Sequence, residues 1–223
     1  MKTLRFILLF LSTIVLGQSK DSISNKYLDD QLYIGITYNT LQKTPPGINQ
    51  NGFSNGLSVG FIKDMPINIQ RNVGFGLGLG YGRNTYYQNL KIYEENNSTV
   101  FEEVSGSFKR NKFSFHSLEV PIEFRWRTST VDKYKFWRIY TGLKLGYIFA
   151  SNAKLKQNGT TKIKGISELN KFQYGWTLGA GFGTWNLNVY YGLSDLFSDA
   201  QLKDTTNSVE LRDLRIGLIF YIL

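Results

Sequence analysis

The 223-residue sequence has no cysteine, one histidine and four prolines. Without cysteine there is no disulfide framework, no thiolate metal site and no residue to carry a lipid behind a leader. One histidine, His116, cannot build a zinc or catalytic centre that needs several. After residue 17 no apolar run reaches the roughly 20 residues that a membrane-spanning helix requires. No GxSxG, no phosphate loop ending in GKS/T and no nucleic-acid motif occurs. The expectation is therefore no catalytic residue, no cofactor, no metal, no nucleic-acid partner and no small-molecule substrate.

What is present begins with a leader. Lys2 and Arg5 precede an apolar run over residues 6–16, with Val15 and Gly17 at the −3 and −1 positions of a cleavage site before Gln18. That pattern predicts a signal peptide over residues 1–17, followed by a short periplasmic segment over 18–30 and one domain over 31–223. The chain is basic, with 26 Lys and Arg against 17 Asp and Glu. Part of the excess is Lys109, Arg110 and Lys112, then Lys154, Lys156, Lys162 and Lys164. Solvated loops explain these charges; contact with anionic lipid headgroups or polysaccharide is the second explanation.

Aromatic residues make up 15% of the chain, and they fall in segments of period two, not 3.6. Eight such segments are readable, at about residues 31–40, 53–62, 72–93, 100–127, 136–156, 171–183, 185–193 and 210–223. The clearest is NVGFGLGLGYGRN. There Gly74, Gly76, Gly78, Gly80 and Gly82 alternate with Val73, Phe75, Leu77, Leu79 and Tyr81. Glycine weakens an ordinary strand because it packs nothing. A soluble sandwich would put Lys, Glu, Thr and Ser on its second face; here that face is largely glycine.

A narrow membrane barrel resolves the conflict. Its apolar residues face lipid and its other face lines a crowded interior. The run from Val73 to Tyr81 has the length of a tilted spanning strand, and closure is compulsory because lipid satisfies no backbone hydrogen bonds. The reading is all-β: an eight-stranded antiparallel transmembrane barrel of the outer-membrane type. It has short periplasmic turns (63–71, 128–135, 183–186) and long extracellular loops (41–52, 94–99, 157–165, 194–208). Trp126, Trp137 and Trp185 sit beside the short turns as interface aromatics, with Tyr38, Phe53 and Tyr81 near the other rim. The glycine row faces the lumen. So do Glu119, Glu123, Arg125, Arg138, Lys144 and Arg215, which must pair as a structural ion network once desolvated.

Acid–base chemistry at Glu119 and Glu123 is the weaker reading of those carboxylates. His116 with Ser114, Ser117 and Glu119 is the only grouping that suggests a hydrolase, and adjacency on a strand is not triad geometry. His116 reads as a rim residue.

Three segments, residues 51–82, HSLEVPIEFRWRTST (116–130) and YKFWRIYTGLKLGYIF (134–149), resemble the PorT family of Bacteroidota outer-membrane proteins, which includes SprT of gliding bacteria. The resemblance extends from Tyr27 to about Leu193, and EVPIEFRWR is its most specific part. It implies a barrel component of type IX protein secretion, needed for export of cargo and, in gliding species, of surface adhesins. The family brings no catalytic residues. The implied partners are outer-membrane lipids and other type IX components, and the implied role is accessory or assembly factor, because eight strands are too few for a protein-conducting pore. The alternative is a stand-alone structural or adhesive barrel with ligand-binding loops; a small lipid-modifying enzyme using His116 is the third.

Overall fold

A computed structural model describes residues 31–96, 98–128 and 136–222. The expected signal peptide, the segment over 18–30, most of the 128–135 turn and Leu223 lie outside these residues. Among the described residues there are eleven strands: β1 (Gln31–Gln42), β2 (Asn55–Pro66), β3 (Val73–Tyr87), β4 (Leu90–Glu95), β5 (Ser98–Glu103), β6 (Arg110–Arg127), β7 (Trp137–Lys156), β8 (Thr160–Lys164), β9 (Phe172–Phe182), β10 (Trp185–Gly192) and β11 (Arg212–Ile222). Eight of them, β1, β2, β3, β6, β7, β9, β10 and β11, pair antiparallel with their neighbours in chain order. β1 pairs with β11, from Leu32 opposite Ile222 to Gln42 opposite Arg212, and this closes the barrel.

Below the aromatic upper edge, the outward positions of the barrel strands are mostly apolar. Leu32, Ile34 and Ile36 on β1, Phe75, Leu77 and Leu79 on β3, and Leu143 and Leu145 on β7 are all exposed. An exposed apolar band of that extent has lipid as its solvent. Trp126, Trp137 and Trp185 are 40%, 59% and 63% exposed at its lower edge, where Trp185 meets Phe220 with ring centroids 4.7 Å apart. Tyr38 against Phe53 (5.3 Å) and Tyr147 against Phe172 (5.1 Å) mark the upper edge. The tight β9–β10 turn is a two-residue hairpin, and Gly183 at φ 57° supplies the left-handed residue it needs.

Two expected strands are divided differently. The third ends at Tyr87 instead of running on through Tyr93, and the fourth, read over Val100–Arg127 with a break near Lys109–Lys112, is interrupted between Glu103 and Arg110. β4 and β5 form a separate hairpin, with Leu90 opposite Glu103 and Glu95 opposite Ser98. Asn96 at its tip has φ 51°, a conformation asparagine tolerates. Alternation ran unbroken through these residues, but their apolar side chains serve a different core from the barrel wall.

That second core lies on the long-loop side. Tyr86, Leu90, Ile92, Phe101, Phe113 and Phe115 pack with Leu196, Phe197, Leu202 and Leu211. The long connections thus form a folded cap, with β8 added to the edge of β7. A register shift between His116 and Ser117 marks the transition: Ser117 stands opposite Ile148 and His116 opposite Ala150, leaving Phe149 as the extra residue. On β7, Arg138, Tyr140 and Ile148 point inward below this bulge, whereas Ala153 and Leu155 do so above it.

Candidate functional site: the filled lumen

The glycine row is the floor on which the interior lies. A Cβ on Gly76 would stand 2.7 Å from Arg125 Nε, and one on Gly82 would stand 2.6 Å from a Glu119 oxygen. Between them, a Cβ on Gly80 would collide with the Tyr33 hydroxyl. Along β3 the lumen therefore holds Arg125, then Tyr33, then Glu119, each lying flat where a neighbouring side chain has been omitted.

Two ion networks fill the space. In the lower one, Arg125 Nε donates to Glu123 Oε2 at 3.0 Å, and its Nη1 lies 3.6 Å from Asp64 Oδ1. Arg127 Nη1 reaches Asp64 Oδ2 at 2.7 Å. Arg125 also donates to Gln31 (3.3 Å) and to the Tyr221 hydroxyl (3.4 Å). Arg138 belongs to this end, its guanidinium 4.8 Å from the Tyr221 ring centre. In the upper network Glu119 takes Arg215 Nη1 at 2.9 Å on one oxygen and Lys144 Nζ at 3.2 Å on the other. Arg215 Nε donates to Asp213 at 2.6 Å, and the Tyr86 hydroxyl donates to the same carboxylate at 2.6 Å. An aromatic and aliphatic layer of Tyr33, Ile62, Tyr140, Ile219 and Tyr221 completes the filling.

All six residues singled out in the sequence point into the lumen, where Glu119 and Glu123 are 2% and 3% exposed. Sequence reasoning missed Asp64, Arg127 as a partner, and Asp213. Each continues the inward phase of its strand: Asp64 follows Ser58, Gly60 and Ile62, and Asp213 precedes Arg215. The second segment reads to Ile62, whereas β2 continues to Pro66.

The chemistry available here is charge pairing. A cavity of about 10 Å³ bounded by Glu119, Lys144, Tyr190 and Arg215 holds at most about one water. Among the described residues no three His, Asp or Glu side chains gather as a metal site. The hydrolase grouping is not assembled either. His116 faces outward, with Nδ1 2.6 Å from the Tyr81 hydroxyl, while Ser117 and Glu119 face the lumen. Ser114 is hydrogen-bonded to Asn152 at 3.1 Å.

A closed eight-stranded antiparallel barrel with a lipid-facing band and a plugged interior is an outer-membrane barrel. The chain matches the family "Outer membrane protein beta-barrel domain" over residues 17–198 and belongs to it. Among solved structures it is similar to Ail, the attachment invasion locus protein of Yersinia pestis. Identity is 12% and the TM-score 0.35, over 86% of this chain and 97% of that one. No curated protein matches it. The protein is thus a β-barrel of the cell outer membrane.

Proposed function

We propose that the protein is a non-enzymatic accessory or assembly component of type IX secretion, acting beside the translocon and not as its pore. It would be needed for export of cargo and, in gliding species, of surface adhesins. The resemblance of residues 51–82, 116–130 and 134–149 to the PorT family supplies the system. The observation that carries the role is the filled lumen: two ion networks, the Tyr33–Tyr140–Tyr221 layer and the cap core leave no route for a polypeptide. Other type IX components are then met on the lipid-facing wall, the periplasmic turns or the cap. Deleting the gene should strand type IX cargo in the periplasm; normal secretion from the deletion strain would sink the reading.

The folded cap favours a second reading, a stand-alone adhesive barrel, because ordered loops present a fixed surface. Replacing residues 88–109 by a short turn separates the two. Lost surface attachment with intact cargo export supports adhesion, and lost export supports the secretion role.

A further inference from the structure

The cap sorts its charges by side. Carboxylates on β4, β5 and the β10–β11 connection are met by cations: Lys91 and Glu102 at 2.9 Å, Lys203 and Glu95 at 3.3 Å, Arg212 and Asp195 at 2.6 Å. The other side is the outer face of the extension built by β6, β7 and β8. There Lys112 stands opposite Lys154, and Lys154 opposite Lys162, in one row across three strands. The next row pairs Arg110 with Lys156, and Lys164 sits one rung lower, opposite Asn152. The alternate residues Phe113, Ala153 and Leu155 are buried in the cap, so these six cations share the outward face. Among the described residues no carboxylate pairs with any of the six.

Like charges placed directly opposite one another weaken a sheet. The Lys154 ammonium is held below its ordinary value, by desolvation first and then by the charges of Lys156, Lys162, Lys112 and Arg110. Packing does not call for such a row, because the opposite face of these strands supplies the cap core. An anion lying across the row would relieve the repulsion.

Position identifies the anion. The row continues the lipid-facing wall upward, above Tyr81, Phe149 and the Arg83–His116 pair. Lys154 is five residues above Phe149 on β7. At about 3.3 Å per residue and a tilt of about 40°, it stands roughly 12 Å beyond the aromatic rim. The face also points sideways, toward neighbouring lipid. A sideways-facing cationic wall just beyond the hydrocarbon meets headgroups before it meets any soluble polymer. We infer that the outer face of β6–β7–β8 binds the phosphate groups of an outer-leaflet glycolipid, whose acyl chains descend along the wall below Phe149. This inference is independent of the secretion role.

The test uses the full barrel in neutral detergent, with bis-phosphorylated lipid A and its dephosphorylated form as probes. Lipid retained after washing is counted by native mass spectrometry. The wild type should retain the phosphorylated form preferentially, and K112Q/K154Q/K162Q should lower that retention by about tenfold or more. K112R/K154R/K162R should keep it. Equal retention of both lipids by the wild type overturns the proposal, as does equal retention by the wild type and the Gln variant. One measurement needs no variant: raising ionic strength must release the phosphorylated lipid from the wild type, and retention indifferent to salt is also fatal. Dextran sulfate that binds through the same lysines while lipid A does not would assign the face to a soluble polymer, against the proposal.

Discussion

On β6 the inward positions carry Arg127, Arg125, Glu123 and Glu119 in the membrane half, then Phe115 and Phe113 in the cap. The outward positions do the reverse, from Trp126, Phe124, Ile122 and Leu118 to His116, Lys112 and Arg110. The strand does not change phase; its surroundings change from hydrocarbon to a polar medium at His116–Ser117. Each half places on its outer face what its surroundings tolerate. The interiors differ in consequence. The barrel is held by paired charges on a glycine floor, where geometry is unforgiving, whereas the cap is held by apolar packing between loops.

The comparison breaks most visibly at the glycines. Gly80→Leu must displace Tyr33; extra methylenes in a packed core already cost about 1–3 kcal/mol, and a whole leucine side chain here should exceed that range. The variant should not reach the heat-modifiable folded form on a gel. Gly159, in the β7–β8 connection, has nothing within 4 Å of its notional Cβ, so Gly159→Leu should migrate like the wild type. A folded Gly80→Leu would show that the row does not carry the interior.

Next in size is Glu119→Gln, which leaves Lys144 and Arg215 facing a neutral group in a closed lumen. Breaking a buried pair from one side costs roughly 3–5 kcal/mol. Urea unfolding of the barrel in lipid vesicles reads this directly. A loss under about 1 kcal/mol would mean that water screens the network as it does at a surface.

Phe197→Ala probes the other interior. Its ring packs 5.3 Å from Phe101 and 5.6 Å from Phe113. Truncating a buried phenylalanine costs about 3–5 kcal/mol, and here the loss should stay in the cap. The β10–β11 connection should become open to protease on whole cells, while the barrel's heat-modification temperature is unchanged. If that temperature falls as well, cap and barrel unfold as one unit.

The same contrast explains what the sequence made legible. Lipid and lumen impose period two along every strand, so the row from Gly74 to Gly82 and the inward charges could be read locally. Asp64 lies two residues past the end of the segment read over 53–62, whereas Asp213 lies inside the segment over 210–223, in phase with Arg215, and is absent only from the set of inward charges. The cap was opaque for another reason. Leu196, Phe197, Ala200, Leu202, Val209 and Leu211 follow no period, since irregular loops bury side chains by long-range fit. The β4–β5 turn is legible as the connection over 94–99, but alternation on both sides conceals that these two strands leave the barrel wall.

The smallest effect is a surface counterpart to Glu119. Glu102 pairs with Lys91 at 2.9 Å in the cap, 37% exposed, and the hydrogen bond from Lys91 holds its carboxyl below the usual value. A lowered folded pKa contributes stability above the unfolded value of about 4.3, lost as pH falls through the folded one. Exposed pairs contribute about 0.2–1 kcal/mol, and salt reduces this further. Hydrogen exchange of the β4–β5 amides, corrected for intrinsic rates, should therefore show slightly less protection below about pH 4 than at neutral pH. Glu102→Gln should remove this pair's share of the change and match the acid value. A loss above about 1 kcal/mol would place this pair with the buried networks and erase the distinction between the two halves.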